Sequence, residues 1–188
     1  MGLEAVYPKP KLSTSHPEHK VFPYLLRGVP ITRCNQVWST DSTSSRLTKG
    51  FVYLMAILDW YSRYVLTWAF STTLEAEFCI EALAERLERS HCEIFTSDQG
   101  SQFTTTRFTE LLLAQDIQVS MDGRGRVFDN IFVERLWRTV KYEKVYLSDF
   151  QSVPEAYTEL RTYFELYNHE RLHQALDSRT PAQVYGTA

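Results

Sequence analysis

The chain has 188 residues, of which 44% are hydrophobic and 14% aromatic; this is enough for one well-packed domain and excludes a disordered chain. No stretch approaches the roughly 18 consecutive apolar residues of a membrane helix, and the first residues lack the basic-then-apolar pattern of a signal peptide. The three cysteines are widely spaced and form no CxxC pair, which argues against a disulfide framework or a zinc ribbon. We therefore expect a cytoplasmic protein that makes no contact with membranes.

The net charge of −3 does not by itself indicate a nucleic-acid partner. Residues 1–34 carry five basic and two acidic side chains, so the remaining chain has a net charge of −6. An acidic domain can still bind DNA if metal ions neutralise its carboxylates where phosphate approaches.

The first elements read as an arm followed by strands. Residues 1–34 contain five of the seven prolines and little periodicity, which predicts an extended basic arm or linker. Three strands follow: one from near Gln36 to near Asp41, an almost continuously apolar one at 51–58, and one at 64–70. Because the short turn DWYSR joins the last two, the three strands are expected to form an antiparallel meander.

Helical periodicity begins after these strands. Thr72 and Glu75 form a capping-box pattern that predicts a helix start, and Ser152 with Glu155 predicts another. Between them the pattern predicts, in chain order, a strand at 92–98, a helix at 104–115, a strand at 117–121 and a helix that begins at Asp129 or Asn130 and ends near Lys144.

The order β-β-β-α-β-α-β-α-α predicts an α/β fold. Three antiparallel strands and then two parallel strands should form one mixed sheet flanked by helices. The chain divides into an arm at 1–34, a core at 35–150, and a C-terminal helix and tail at 151–188 that pack on the core.

Three acids are predicted at the ends of elements. Asp41 lies near the predicted end of the first strand, and Asp98 ends the fourth strand, where ligand sites gather in α/β sheets. Glu134 lies at the edge of the buried face of its helix, with Arg138 and Lys141 beside it. Three converging carboxylates repel one another unless cations lie among them, and an all-oxygen site suits Mg²⁺. The alternative for each acid taken alone is a turn, cap or solvated residue.

Two further acids and one glycine lie near these positions in the sequence. Asp59 is interpreted as a turn residue with Ser62 and Arg63, and Asp129 as a helix cap. Gly100, just after Asp98, is interpreted as the residue that clears space for a DNA backbone.

Residues 169–173 read HERLH, a literal HExxH. On a helix this pattern would place His169 and His173 on one face as zinc ligands, with Glu170 as the base of a zinc protease. The extended form of the motif fails at Leu176 and Arg179, so this remains a minor alternative.

Five stretches carry a resemblance that covers residues 36–186: NQVWSTDST, LDWYSRYVLTW, SDQGSQFT, SMDGRGRVFDNIFVERLWRTVKYE and YNHERLHQALDSRTPAQVY. They resemble the catalytic domain, or integrase core, of bacterial insertion-sequence transposases of the OrfB type. These transposases belong to the DDE transposase and retroviral-type integrase superfamily, and the 35 residues between Asp98 and Glu134 match a hallmark spacing of it.

The resemblance implies an RNase H-like fold in which Asp41, Asp98 and Glu134 form the catalytic, metal-binding triad. It implies an enzyme, a polynucleotidyl transferase that uses two Mg²⁺ ions, with Mn²⁺ as a substitute, to cleave DNA and transfer strands. The expected partners are transposon ends and target DNA, with a homo-multimer assembled on DNA at the bacterial nucleoid.

Seven residues are candidate DNA contacts. Some lie on the Glu134 helix or in the glycine-flexed loop before it, and others follow Asp98; they are Arg124, Arg126, Arg138, Lys141, Gln99, Ser101 and Gln102. For the loop arginines a solvated linker is an equal alternative.

Two departures from the family pattern keep a second function open. Ser44 and Ser45 replace bulky strand residues, which predicts weaker packing of that strand. Family members usually carry helix-turn-helix segments before this domain, and the first residues, MGLEAVYPKPK, resemble the junction just after them, which suggests a truncated reading frame or a catalytic fragment. The alternative is therefore a non-catalytic remnant that binds DNA or full-length transposase as an inhibitor.

Overall fold

The computed structural model describes residues 20–47, 50–122 and 130–186. Five strands form one sheet: β1 (Val37–Leu47), β2 (Gly50–Asp59), β3 (Val65–Ser71), β4 (Ile94–Ser97) and β5 (Gln118–Met121). Their order in the sheet is β3-β2-β1-β4-β5, with antiparallel pairing among the first three and parallel pairing from β1 through β5. The predicted mixed sheet is confirmed.

Five helices accompany the sheet: α1 (Glu77–Leu87), α2 (Thr106–Leu113), α3 (Ile131–Glu143), α4 (Val153–His169) and α5 (Pro181–Tyr185). Two short 3-10 turns, Val145–Leu147 and Gln174–Leu176, precede α4 and α5 respectively. Among the described residues, no helix is long and apolar enough to cross a membrane.

The continuous apolar run of β2 follows from the covering of both sheet faces. Leu54, Ala56 and Leu58 face a core shared with α3 and α4. Met55 and Ile57 point the other way, into a core shared with α1 and α2. Because successive side chains of a strand alternate between faces, a strand buried on both sides must be apolar at every position.

Helix starts follow local capping chemistry, with one error in the prediction. Ser152 Oγ accepts a hydrogen bond from the Glu155 backbone N–H at 3.3 Å, as predicted for α4. The Thr72–Glu75 box is wrong: α1 begins at Glu77 after Ala76, which makes no side-chain cap. Strand β3 runs to Ser71, so the chain must turn before a helix can begin.

Part of the N-terminal arm packs on the core. Residues 20–34 contain no helix or strand, but Leu26 is buried in the core shared with α3 and α4. The backbone N–H of Leu25 donates to Ser120 Oγ at 3.1 Å, which fastens this segment to β5. Residues 1–19 lie outside the described chain.

Candidate active site

Asp41 lies in the middle of β1 and not near its end, so that prediction is wrong. Strand β1 runs to Leu47 because the antiparallel partner β2 pairs with it along its whole length. Its parallel partner β4 pairs only with Val37–Ser39. Asp41 therefore lies where β1 extends past the carboxyl end of β4.

Asp98 follows β4 immediately and comes level with Asp41. Ser39 is paired with Thr96, so the same register continued by two residues places Asp41 opposite Asp98. Val37 and Ile94, which precede the two acids by four residues, both belong to the core under α3 and α4. By the two-residue period of a strand, both acids project toward that helical layer.

Gly100 packs directly against the Asp98 carboxylate, where no side chain would fit. The Gly100 backbone N–H donates to Asp98 Oδ1 at 3.0 Å. A Cβ at position 100 would lie 2.9 Å from the same oxygen, which is closer than a carbon and an oxygen can approach without displacement. The contact with Asp98 is enough to explain why position 100 is a glycine. That this glycine also leaves space for a DNA backbone stays a prediction.

Glu134 is delivered by the first turns of α3. Val133, Leu136, Trp137 and Val140 are buried beneath this helix, as predicted, and Glu134 is exposed beside them. The buried face fixes the rotation of α3 and leaves Glu134 on an adjoining face, close enough for its charge to act on Asp41.

Asn130 fixes where α3 begins. It occupies the predicted cap position but makes no capping hydrogen bond. Its Nδ2 instead donates to the backbone carbonyl of Thr40 at 2.9 Å, next to Asp41 in the chain. The Glu134 N–H donates to the Asn130 carbonyl at 3.2 Å, so one residue links β1 to the turn that carries Glu134. Sequence reasoning missed this role, because Asn before a helix is the usual signal for a cap.

Asp41 lies within range of the charges of both Asp98 and Glu134. Burial raises the pKa of Asp41 to about 7, and the nearby carboxylates of Asp98 and Glu134 add to this rise. The Ser42 backbone N–H, which donates to Asp41 Oδ1 at 2.7 Å, and the Lys141 ammonium oppose it. Burial also raises the pKa of Asp98, against the Gly100 hydrogen bond. A divalent cation bound between half-buried carboxylates such as these would favour their charged form.

The donor set fits magnesium in type. All three side chains offer carboxylate oxygens, the ligands that Mg²⁺ prefers together with water and phosphate oxygens. Across residues 20–47, 50–122 and 130–186, no three His, Cys, Asp or Glu side chains are grouped closely enough to hold a metal as they stand. Glu134 is the most exposed of the three acids.

The predicted DNA contacts fall into different environments. Arg138 and Ser101 are exposed, and Lys141 and Gln99 are half-buried. Gln102 is buried, and Gln99 Nε2 donates to the Asp122 carbonyl at 2.8 Å. Arg124, Arg126 and Asp129 lie outside the described residues.

Asp59 is a buried turn residue, as predicted. Its Oδ1 accepts hydrogen bonds from the Ser62 N–H at 2.8 Å and the Ser62 hydroxyl at 2.7 Å. Its Oδ2 accepts from the Asn35 N–H at 2.7 Å. This carboxylate is already surrounded by donors and does not join the other acids.

The zinc-protease interpretation of HERLH is wrong. Helix α4 ends at His169, and His173 lies in an isolated β-bridge with Arg179. The two histidines therefore do not share a helix face. His169 instead faces Glu165 at 3.6 Å, and the His173 ring packs against Tyr167.

Ser44 and Ser45 were expected to weaken the packing of their strand, and the structure shows how each of them lies in β1. Both serines pair with β2, opposite Tyr53 and Val52, so the strand is not interrupted. Ser45 Oγ is buried without a hydrogen-bond partner among the described residues, which is the cost of a serine at this position.

Two protein-family models match the chain, and both describe an integrase core domain. A family model described as the integrase core domain matches residues 31–126, just over half of the chain. A second model of the same description matches residues 115–181.

Curated relatives include insertion-sequence transposases. The chain is 30% identical over 154 residues to the transposase for insertion sequence element IS904 of Lactococcus lactis, covering 80% of this chain and 61% of the relative. It is 28% identical over 162 residues to the putative transposase InsK for IS150 of Escherichia coli, covering 85% and 57%. The chain thus spans about 60% of the length of these relatives.

The fold is similar to that of solved retroviral integrase structures. The HTLV-2 integrase catalytic core domain in complex with magnesium superimposes with a TM-score of 0.64 at 18% identity, covering 81% of this chain and 97% of that one. A chain of the simian T-cell lymphotropic virus intasome superimposes with a TM-score of 0.70 at 16% identity, covering 90% and 60%. The mixed sheet is thus the RNase H-like architecture of integrase cores, and by sequence the chain belongs to the integrase core domain family.

Proposed function

We propose that this chain is the catalytic domain of a DDE-type transposase that cleaves DNA strands and joins them to a target. The observation that carries the proposal is the level placement of Asp41 and Asp98 on one sheet face, with Glu134 on the helix that covers it. The raised pKa of Asp41, which burial and then the Asp98 carboxylate produce, supports a site shaped for cations.

Each side chain has a distinct part in the proposal. Asp41 and Asp98, held by neighbouring backbone donors, would bind divalent cations where β1 extends past the carboxyl end of β4, and Glu134 would complete the ligand set from α3. When bound, two Mg²⁺ or Mn²⁺ ions supply activation of the attacking oxygen and stabilisation of the leaving oxygen at a phosphodiester. Arg138 and Lys141 would hold the phosphate backbone beside the acids, together with Ser101.

Partners and setting complete the proposal. The substrates would be transposon ends and target DNA, and the chain would act as a homo-multimer on paired ends. We place this activity in the bacterial cytoplasm, at the nucleoid.

The test is a nicking and strand-joining assay on terminal-repeat DNA with Mn²⁺ at low salt. The expected result is activity in the wild type and a loss of about 100-fold or more in Asp98→Asn, because one metal ligand is removed. Asp177→Asn is the matched control, since this aspartate is 94% exposed and lies outside the acid cluster. Equal inactivity of wild type and Asp98→Asn would reject catalysis by this chain.

The second candidate is a chain without catalytic activity that binds DNA or a longer transposase. The observation that favours it is the buried Ser45 hydroxyl of β1, which has no hydrogen-bond partner within the part of the chain that the structure describes. Calorimetric titration discriminates the two: a folded chain that binds DNA but shows no carboxylate-dependent Mn²⁺ binding supports this candidate over the first.

A further inference from the structure

A line of exposed side chains runs along α3 away from Glu134. Arg138, Tyr142 and Tyr146 follow Glu134 at intervals of four residues, and all four side chains are exposed. Residues four apart share one face of a helix, which places Glu134, Arg138 and Tyr142 on one face of α3. Tyr146 lies beyond the end of α3, on the 3-10 turn Val145–Leu147, and joins the line through its ring contact with Tyr142. We call Arg138, Tyr142 and Tyr146 the aromatic stripe.

The rings of the aromatic stripe are unusually open to solvent and are in contact with each other. Tyr142 is 63% exposed and Tyr146 is 64% exposed. Their ring centroids lie 5.3 Å apart with an edge-to-face angle of 80°, and the Arg138 guanidinium carbon lies 5.9 Å from the Tyr142 ring centre. These contacts reduce the freedom of the side chains before any ligand arrives, so a ligand loses less affinity to ordering them.

Two cations without a direct ion pair in the described residues lie beside the rings. Neither Arg138 nor Lys141 makes an ion pair with any acid in the described parts of the chain, whereas Lys144 is paired with Glu159 and Arg171 with Glu143. Lys141 lies close enough to Asp41 to lower the pKa of that carboxyl. Cations next to open aromatic faces are the combination by which proteins bind unpaired nucleic acid.

We propose that the aromatic stripe binds an unpaired segment of the DNA strand whose phosphodiester lies at Asp41, Asp98 and Glu134. Bases stack on Tyr142 and Tyr146, and phosphates contact Arg138 and Lys141. Duplex DNA hides its base faces within the stack, so only an unpaired segment can use the rings. Tyr142 lies about 12 Å beyond Glu134 along the helix axis, which is within a few nucleotides of the acids. This inference rests on the proposed function.

A second copy of the chain is the competing occupant of this surface. Leu147, 78% exposed, extends the apolar area next to Tyr146. The unpaired cations favour a phosphate-bearing ligand over an apolar protein surface.

The experiment measures fluorescence anisotropy of a labelled oligonucleotide with the full chain, in EDTA at low salt. Three probes are used: a single strand, its duplex, and the same single strand with abasic sites. We expect the double variant Tyr142→Ala with Tyr146→Ala to bind the single strand about 10-fold more weakly or worse, with its affinity for duplex changed less than about twofold. The wild type should lose a similar factor on the abasic strand, because its phosphates remain but its bases are gone.

Two further double variants at Tyr142 and Tyr146 test whether base stacking on the rings accounts for the binding. Phenylalanine at both positions keeps the rings and should keep the affinity, whereas leucine at both keeps an apolar surface and should lose it. Tyr157→Ala is the control for an exposed tyrosine elsewhere, since Tyr157 is 47% exposed and packs on Trp68 of β3. It should bind every probe as the wild type does.

Several results would overturn the inference. They are wild-type affinity in the alanine or leucine double variant, equal affinity of the wild type for abasic and intact strands, or no binding of the single strand at all. A loss of dimers in the alanine variant without a change in DNA affinity would instead assign the surface to self-association. Nicking and Mn²⁺ binding by the wild type are measured separately, so the proposed function can stand when the inference fails.

Discussion

Asp41 and Asp98 are each held by a backbone N–H that lies one or two residues further along the chain. These hydrogen bonds favour the charged carboxylates, but burial outweighs them, and the pKa of each side chain is raised above its ordinary value. In the absence of a cation, a charged Asp41 therefore costs the fold stability, which is typical of residues retained for binding or chemistry.

Asp41→Asn should stabilise the metal-free chain at alkaline pH. The pKa of Asp41 is raised from 3.8 in the unfolded chain to about 7, so the folded chain binds more protons between these values and its stability falls as pH rises through that window. The variant removes this loss. Its advantage in unfolding free energy, measured by urea titration in EDTA, should be larger at pH 8 than at pH 5 by roughly 2 kcal/mol.

The control for this comparison is Asp177→Asn, which makes the same chemical change at an exposed side chain away from Asp41. An Asp41→Asn advantage that does not grow with pH would contradict the assignment of the raised pKa to this carboxyl.

Gly100→Ala should weaken metal binding with little loss of stability. The added Cβ would lie 2.9 Å from Asp98 Oδ1 and must displace the carboxylate. We expect Mn²⁺ affinity, measured by calorimetry, to fall about 10-fold or more, as for other disturbed metal ligands. Gly186→Ala, at the end of α5, is the matched control and should bind Mn²⁺ as the wild type does. Unchanged affinity in Gly100→Ala would show that Asp98 does not hold the metal from this position.

At the scale of elements, α3 connects the packing of the core to the site. Its buried side chains set its rotation on the sheet, and the Asn130 bond to the Thr40 carbonyl fixes its first turn against β1. The distance between Glu134 and Asp41 is therefore set by a side chain that is itself not a metal ligand. Asn130 is 4% exposed, so water does not readily replace its hydrogen bond.

Asn130→Ala should lower metal affinity more than its effect on stability explains. The variant leaves the Thr40 carbonyl without its donor and frees the start of α3. Asn168→Ala is a matched control, since this buried asparagine clamps α4 to β3 through two hydrogen bonds to Val65. Both variants should lose roughly 1–3 kcal/mol of unfolding free energy. Only Asn130→Ala should also lose Mn²⁺ affinity, and equal affinities would limit Asn130 to a structural role.

At the scale of the whole molecule, Asp41 and Asp98 project toward the helical layer of α3 and α4, and the other layer, α1 and α2, supports the sheet from behind. Helix α5 is held against the start of the sheet: Tyr185 stacks on Tyr64 at 4.9 Å, and its hydroxyl donates to Asn35 Oδ1 at 2.9 Å. Asp41, Asp98 and Glu134 come from distant parts of the chain, and the elements that carry them share one core.

The sheet and most helices were predictable because their signals are local. The apolar run of β2 and the buried face of α3 are read directly from periodicity. The three acids were proposed from their expected places at the ends of elements and from the spacing that resembles the family, and their role stays a proposal. The end of β1 was missed because pairing with β2 determines it, and the serines at 42, 44 and 45 are weak signals for a continuing strand.

Other features depend on tertiary contacts that a sequence does not display. Asn130 has the sequence pattern of a cap, and only the approach of Thr40 shows its other use. HERLH matches a zinc motif by spacing, but the helix that the motif needs ends at its first histidine. Helix α5 was missed although Thr180 and Gln183 form a complete capping box around Pro181, because five residues are too few to show a helical period.

The most direct test is a crystal structure of the chain soaked in Mn²⁺, with the metal located by anomalous scattering. The account predicts a peak bound by Asp41 and Asp98, with Glu134 turned toward it, and no such peak in Asp98→Asn crystals. A peak elsewhere at saturating Mn²⁺, or none between these carboxylates, would contradict it.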